Sequence, residues 1–202
     1  MLALLGGTFD PFHLGHLYLA TAATKHFNGA VTIIPNATTP HRNAALASWQ
    51  HRLAMCQLAV LDFPQIRVVA EETPQHSGRT IDTLISLRQQ YSTTPLSLII
   101  GSDVYRNFGS WQQPSEILKQ AHLIVVTRPD TTTLATFPWG KIVADKTALA
   151  HGAGGVYVWQ CAPPAISATH CRAVIAGGGN IEHLVPEKVA AYIRQHGLYR
   201  SS

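Results

Sequence analysis

The sequence predicts an α/β protein with a doubly wound, mainly parallel sheet of the Rossmann-like type, followed by C-terminal helices. Short aliphatic runs alternate with segments of helical periodicity, and most of these runs are apolar throughout. Such runs are typical of strands covered on both faces, and strand–helix–strand alternation implies right-handed parallel crossovers. With 202 residues, of which 46% are hydrophobic, the chain suits one core, so we predict a single domain over residues 1–202.

Each predicted element follows from its local pattern. The strands are the aliphatic runs at 2–5, 30–35, 66–70, 96–100, 123–127 and 156–160, and helical patterns cover 15–27, 48–62, 80–91 and 114–120. Ser48 suits the N-cap of the second helix, and Ser167 suits the N-cap of a later helix that stops at the glycines 177–179. A last helix begins at Pro186 and ends before Gly197. Residues 128–155 are rich in Thr, Pro and Gly and predict a long, partly irregular connection.

Charge and cysteine content limit the classes of function. The formal net charge of +4 suits anionic substrates, but the Lys and Arg clusters typical of nucleic-acid binding are missing. Three cysteines without a C-x-x-C pair argue against a disulfide framework or zinc ribbon and fit a reducing compartment. No apolar run approaches the roughly 18 residues of a membrane span, and no basic region precedes the apolar start. We expect a cytoplasmic protein with neither membrane nor nucleic acid as a partner.

Residues 4–16 carry the strongest functional signal, with the sequence Leu-Leu-Gly-Gly-Thr-Phe-Asp-Pro-Phe-His-Leu-Gly-His. Gly6 and Gly7 let the backbone approach a phosphate, and free N–H groups at the following helix start add positive potential. His13 and His16 share one side of that helix, at the strand end where open α/β sheets bind ligands. Glycine spacing and the missing Lys exclude a P-loop and a dinucleotide fingerprint. From spacing alone, solvated imidazoles or a metal site stay open.

The same segment resembles the G-x-F-D-P-x-H-x-G-H signature of the nucleotidyltransferase superfamily. Residues 166–172, Ile-Ser-Ala-Thr-His-Cys-Arg, resemble its second signature, I-S-x-T-x-x-R. Within the superfamily the resemblance is closest to the nicotinate-nucleotide adenylyltransferases, and it covers nearly the whole chain. The further segments that carry it are 32–36, 40–42, 79–84, 99–103, 123–129 and 197–200, together with Trp111.

This resemblance implies a reaction. The protein would transfer the adenylyl group of ATP to nicotinate mononucleotide, releasing pyrophosphate and forming nicotinate adenine dinucleotide for NAD biosynthesis. In-line attack on the α-phosphorus needs positioning and charge neutralisation more than a protein nucleophile. Mg²⁺ is the implied cofactor, held mainly by substrate phosphates because the sequence shows no dedicated metal cage. The oligomeric state stays open, and a homo-oligomer is one of the alternatives.

The resemblance also assigns residues. The ATP-binding residues it implies are Gly6, Gly7, Thr8, Phe9, His13, His16, Gly101, Asp103, Ile166, Ser167, Thr169 and Arg172. The catalytic residues among them are His13, His16 and Arg172, through hydrogen bonds to phosphate oxygens. The residues implied for the acceptor are His41, Arg42, Arg79, Thr80, Thr83 and Trp111. Trp111 would stack on the pyridine ring, Thr80 would bind its carboxylate, and Asp103 would contact ribose hydroxyls. From pattern alone, Asp103 could instead be a simple N-cap.

Two positions depart from the family pattern, and two alternative functions stay open. Gly78-Arg79 stands where an aromatic residue often precedes the Thr, and Cys171 replaces an aliphatic residue. The cationic Arg79 would either favour a substrate carboxylate, and so nicotinate over nicotinamide, or simply point to solvent. One alternative is a non-catalytic nucleotide-binding or regulatory protein on the same fold. The other is a related adenylyltransferase that uses nicotinamide mononucleotide or phosphopantetheine. Intact phosphate-binding residues in both signatures argue against the binding-only alternative.

Overall fold

The computed structural model describes residues 1–37, 45–70, 78–127 and 139–200. The strands in these ranges are β1 (Leu2–Gly7), β2 (Val31–Pro35), β3 (Ile66–Val68), β4 (Leu96–Gly101), β5 (Ala121–Thr127), β6 (Lys141–Ile142) and β7 (Gly155–Gln160). They form one sheet in the order β3-β2-β1-β4-β5-β7-β6, and every neighbouring pair is parallel. The predicted doubly wound parallel sheet is confirmed.

Helices cover both faces of this sheet. They are α1 (Leu14–Phe27), α2 (Trp49–Val60), α3 (Thr80–Gln90), α4 (Ser102–Arg106), α5 (Pro114–Gln120), α6 (Ala168–Ala176) and α7 (Glu187–Gln195). Side chains of α1, α2, α6 and α7 join one apolar cluster, and those of α3, α4 and α5 join a second one. Strand β1 separates the two clusters, because Ala3 and Leu5 lie in the first while Leu2 and Leu4 lie in the second. This alternation is the period of two that a strand imposes.

The two predicted serine N-caps are confirmed. The Ser48 hydroxyl accepts a hydrogen bond from the His51 N–H at 3.4 Å, and the Ser167 hydroxyl accepts one from the His170 N–H at 3.1 Å. Each hydroxyl satisfies a backbone donor that the first helical turn leaves without a partner. The caps therefore set where α2 and α6 begin.

Several details differ from the sequence predictions. The described part of the irregular connection, residues 139–155, contains strand β6 and a 3-10 helix at Lys146–Ala150. Strand β6 has two residues, too few for a periodic signal. Asp103 is not an N-cap, because Gly101 caps α4 and Asp103 lies in the first turn. Within the described ranges, no helix is both long enough and apolar enough to cross a membrane.

The strand order places a topological switch point at β1. After β1 the chain builds β2 and β3 on one side, and it then crosses to build β4 and β5 on the other. At such a point the flanking connections leave the sheet in opposite directions, which opens a crevice at the carboxyl ends of the strands. Strands β1 and β4 border this crevice.

Candidate active site

A cavity of about 770 Å³ opens at the switch point, within the size range of small-molecule sites. Its walls come from the ends of β1, β2 and β4 and from α1, α3 and α6. Eleven residues that the sequence implicates line it, namely Gly6, Gly7, Thr8, Phe9, His16, Thr80, Thr83, Gly101, Trp111, Thr169 and Arg172. The fold therefore brings both signature segments to one site, although most of the chain separates them.

The loop after β1 turns sharply because of two local features. Phe9 has a left-handed backbone, with φ at 51°, which is uncommon outside glycine. Its ring folds back over Gly7, where an added Cβ would lie 3.0 Å from two ring atoms. Gly7 is therefore needed for this close approach. The turn leaves Thr8 and Phe9 at the wall of the cavity.

His13 and His16 stack on each other at the start of α1. Their ring centroids lie 3.6 Å apart with the planes inclined by 17°. The backbone N–H of His13 donates to His16 Nδ1 at 3.3 Å, so a neutral His16 carries its proton on Nε2. His13 is 6% exposed. Gly15 permits this arrangement, because a Cβ there would lie 3.1 Å from the His13 ring and 3.3 Å from the Pro164 carbonyl oxygen.

Both imidazoles are neutral at neutral pH. Burial lowers the pKa of His13 from 6.5 to about 4. Burial, and then repulsion from a charged His13, lower the pKa of His16 well below its ordinary value. Without a bound anion, the pair thus offers N–H donors rather than positive charge. A phosphate placed against these rings would favour their protonated forms.

Arg172 supplies the fixed positive charge of the site. It lies in α6 with its side chain 26% exposed, and it lines the cavity. Its Nη1 donates to the Asp10 backbone carbonyl at 2.7 Å, and its Nη2 donates to Thr169 Oγ1 at 3.3 Å. These two contacts hold the guanidinium beside the loop that follows β1. A planar guanidinium is well suited to phosphate oxygens.

Two buried charged side chains support the loop that follows β1. Asp10 is 5% exposed and Arg52 is 2% exposed. Arg52 Nη1 donates to the carbonyl oxygens of Thr8 at 2.6 Å and Asn36 at 2.7 Å. Its Nε donates to the Ala47 carbonyl oxygen at 3.3 Å. One guanidinium in α2 thus joins the ends of β1 and β2 to the turn that precedes α2.

The opposite wall of the cavity combines a helix start with an aromatic ring. Thr80 is the first residue of α3, and it lines the cavity together with Thr83. Helix α3 therefore begins at the cavity and presents the positive end of its dipole there. Trp111 is half-buried and packs against Phe108, with the ring centroids 5.3 Å apart. This wall offers hydroxyl and N–H donors beside a flat apolar surface.

Some residues implicated by the sequence do not line the cavity. His13, Asp103, Ile166, Ser167 and Arg79 are described but are not among the side chains that line the cavity. Of these, His13 lies against His16, Ser167 caps α6, and Asp103 and Arg79 are exposed. His41 and Arg42 lie outside the described residues.

Comparison with known proteins identifies the family. Residues 4–174 match the cytidylyltransferase-like family model. A probable nicotinate-nucleotide adenylyltransferase of Aeromonas hydrophila is 39% identical over 98% of this chain and 97% of that protein. One of Pseudomonas entomophila is 37% identical over 98% and 94%. The chain belongs to the nicotinate-nucleotide adenylyltransferase family.

Solved structures agree at the level of the fold. A nicotinic acid mononucleotide adenylyltransferase of Plasmodium falciparum, complexed with NaAD, superposes with a TM-score of 0.74 at 15% identity and covers 98% of this chain. A putative nicotinate-nucleotide adenylyltransferase of Vibrio parahaemolyticus gives a TM-score of 0.68 at 18% identity and covers the whole chain. The alignments span 96% of both structures. These two structures thus share the Rossmann-like fold of this chain over nearly their whole length.

Three polar residues at this adenylyltransferase site were not assigned from the sequence. Asp10 stands inside the first signature, where only its neighbours received roles. Arg52 lies on the buried side of α2 with Met55, Cys56 and Ala59, and this spacing could have indicated a buried arginine. Tyr199 donates from its hydroxyl to Asp10 Oδ1 at 2.7 Å. No local pattern indicates a contact between segments so distant along the chain.

Proposed function

We infer that the protein transfers the adenylyl group of ATP to nicotinate mononucleotide, with release of pyrophosphate, as a step of NAD biosynthesis. The observation that carries this inference is the meeting of His16 and Arg172 from the two signatures at one cavity. The choice of acceptor rests on relatives that are 36–39% identical and carry the nicotinate-nucleotide adenylyltransferase name. The non-catalytic alternative is not favoured.

Roles for the ATP-binding residues follow from their donors. The backbone of Thr8 and Phe9, the ring N–H of His16 and the guanidinium of Arg172 would bind phosphate oxygens. A phosphate contact from His13 rests on the resemblance, because His13 does not line the cavity. These donors would spread the negative charge of the triphosphate and hold the α-phosphorus in line with the attacking acceptor oxygen. Thr169 would act by holding Arg172, to which it is hydrogen-bonded at 3.3 Å. Further roles for Gly101, Asp103, Ile166 and Ser167 remain proposals from the resemblance.

The wall formed by α3 and Trp111 suits the acceptor. A pyridine ring would stack on the Trp111 indole, whose flat face provides apolar contact. Its carboxylate would then reach the start of α3, where the helix dipole and the Thr80 N–H or hydroxyl favour an anion. Nicotinamide lacks the negative charge that the positive end of the helix dipole would stabilise. A role for His41, Arg42, Arg79 and Thr83 in acceptor binding remains part of the proposal.

Mg²⁺ is the proposed cofactor. Among the described residues, no group of three or more His, Cys, Asp or Glu side chains is placed to hold a metal ion. The Asp10 carboxylate accepts three hydrogen bonds from protein donors. We therefore propose that the ion is held mainly by phosphate oxygens and water, as is usual for Mg²⁺ with nucleotides. When bound, it would neutralise phosphate charge.

A cytoplasmic location is also proposed. It rests on the three cysteines, Cys56, Cys161 and Cys171, which are all free and buried. Free thiols are typical of reducing compartments.

The test is the initial rate of pyrophosphate release from ATP and Mg²⁺ with three acceptors in parallel. These are nicotinate mononucleotide, nicotinamide mononucleotide and phosphopantetheine. We expect release with nicotinate mononucleotide at the highest kcat/KM. Release with phosphopantetheine alone would replace the proposed acceptor, and ATP binding without release for any acceptor would indicate a binding protein.

A pair of histidine variants separates this activity from contamination. We expect His16→Ala to lower kcat by at least about 100-fold, the effect of losing one donor to the transition state. His183→Ala is the matched control, because His183 is exposed and lies away from the cavity lining. Its rate should equal that of the unmodified protein. Equal rates for His16→Ala and His183→Ala would contradict the role of His16.

A further inference from the structure

The Asp10 carboxylate is held by hydrogen bonds from two distant parts of the chain. Its Oδ2 accepts from the Leu46 N–H at 2.8 Å, and its Oδ1 accepts from the Ala47 N–H at 3.1 Å. Its Oδ1 also accepts from the Tyr199 hydroxyl at 2.7 Å. Because Asp10 is 5% exposed, these donors replace the water that would otherwise solvate its charge.

The Arg172 guanidinium lies next to this carboxylate without a hydrogen bond to it. Arg172 Nη1 forms a long ion pair with Asp10 Oδ2 at 3.9 Å, whereas it donates to the Asp10 backbone carbonyl at 2.7 Å. An arginine beside a buried carboxylate would usually form a direct, often bidentate, pair. Here the carboxylate is already engaged by three other donors. Arg172 therefore keeps donors for a ligand in the cavity that it lines.

The backbone around Tyr199 adopts a conformation that places the Tyr199 hydroxyl against the Asp10 carboxylate. Tyr199 has φ at 63°, and Gly197 has φ at 58°. A left-handed backbone is unfavourable for a non-glycine residue, so surrounding contacts must maintain it. The Leu198 N–H donates to the Ile193 carbonyl at 3.1 Å, which fixes the segment against α7. Burial and the Asp10 carboxylate raise the pKa of Tyr199, so its hydroxyl stays protonated and acts as a donor.

We propose that Tyr199 is a positioning residue for ATP. Its hydroxyl holds the Asp10 carboxylate in place, and this keeps the Arg172–Asp10 ion pair long, at 3.9 Å. Arg172 then stays directed at the triphosphate instead of hydrogen-bonding to the carboxylate. Without the hydroxyl, Asp10 Oδ1 loses its shortest hydrogen bond, and the carboxylate shifts toward the guanidinium. Arg172 then has to break a direct, hydrogen-bonded ion pair before it can bind phosphate. This inference rests on the proposed function, in which Arg172 binds ATP.

The test is Tyr199→Phe, which removes only the hydroxyl. We expect KM for ATP to rise about tenfold, the equivalent of one hydrogen bond to a charged group, while KM for nicotinate mononucleotide stays within about twofold. The matched control is Tyr192→Phe, because the Tyr192 hydroxyl is paired with His51 Nδ1 at 2.9 Å and lies outside the cavity lining. Its kinetic constants should not change. An equal rise in both KM values for Tyr199→Phe would indicate general loosening and contradict the proposal.

A double-mutant cycle tests whether Tyr199 acts through Arg172. The dissociation constant of ATP is measured by calorimetry for Tyr199→Phe, Arg172→Ala and the double variant. We expect Tyr199→Phe to weaken binding about tenfold alone and less than about twofold with Arg172→Ala. Equal weakening in both backgrounds would overturn the proposal. Because this readout needs no turnover, it is independent of whether nicotinate mononucleotide is the acceptor.

Asp10→Asn provides a second background for the cycle. It keeps the shape of the side chain and removes the charge that Tyr199 holds in place. In this background Tyr199→Phe should again change the dissociation constant of ATP by less than about twofold. A tenfold effect in the absence of the charge would also overturn the proposal.

Discussion

Arg52 shows how one residue can organise the site without lining it. Its guanidinium donates to Thr8, Asn36 and Ala47, and also to the Ala37 carbonyl at 3.2 Å. Ala37 and Ala47 lie on either side of segment 38–44, which in sequence contains the proposed acceptor residues His41 and Arg42. Arg52 therefore fixes both flanks of that segment relative to the loop that follows β1.

We expect Arg52→Lys to destabilise the protein although it keeps the positive charge. A lysine ammonium has three donors on a flexible chain and cannot reach four separate carbonyls in this geometry. The free energy of unfolding in urea should fall by about 3 kcal/mol, since buried carbonyls lose charged donors. KM for nicotinate mononucleotide should rise as well.

Arg194→Lys is the matched control for Arg52→Lys. Arg194 is exposed and forms a surface ion pair with Glu182 at 3.3 Å. Such pairs contribute little, so the change in unfolding free energy should stay within about 0.5 kcal/mol. A similarly small change in unfolding free energy for Arg52→Lys would contradict the role of Arg52 in holding these carbonyl groups together.

Predictability at the residue scale depends on whether a role is local. His13, His16 and Arg172 stand in signatures with fixed spacing, so the sequence alone singles them out. Arg52 and Tyr199 act through contacts with Thr8 and Asp10, and these contacts exist only after folding. A sequence shows the residue type but not the distant partner that gives it a role.

At the scale of elements, caps and apolar runs predict the chain well. Ser48 and Ser167 begin their helices as predicted, because capping is a local hydrogen bond. Strand β3 ends at Val68, two residues before its predicted end, since the apolar run continues after the pairing stops. Strand β6 could not be predicted, because its two exposed residues form a strand only by pairing with β7.

The start of α1 makes stability depend on pH. In the unfolded chain His13 takes up a proton near pH 6.5, whereas in the folded protein its pKa is about 4. Between these values the unfolded state binds more protons, so stability falls as the pH falls through this window. We expect the free energy of unfolding to drop by about 2 kcal/mol between pH 7 and pH 5 from His13 alone.

The measurement is urea unfolding at several pH values with two variants. His13→Asn removes the titrating group, so its unfolding free energy should depend less on pH between 7 and 5. His183→Asn removes an exposed histidine and should leave the pH dependence unchanged. If His13→Asn kept the full pH dependence, the neutral, buried state of His13 would be wrong.

For the whole molecule, the sequence predicts the class of fold but not the strand order. Continuous apolar runs between helices indicate a parallel sheet, and this prediction is confirmed. The crossing of the chain from β3 to the far side of β1 depends on which helices cover which face, and no local pattern encodes it. The cavity lies at that crossing. A general rule for open α/β sheets predicts a cavity at such a switch point, but it does not predict which residues form the walls.

The central claim is adenylyl transfer at the α-phosphorus of ATP. The most direct test uses two samples of ATP labelled at different phosphorus atoms and determines which product carries each label. One sample carries labelled phosphorus at the α-position and the other at the γ-position, each with nicotinate mononucleotide and Mg²⁺. The account predicts that the α-label appears in nicotinate adenine dinucleotide and the γ-label in pyrophosphate. Recovery of the γ-label in orthophosphate or on the acceptor, with no labelled dinucleotide, would contradict it.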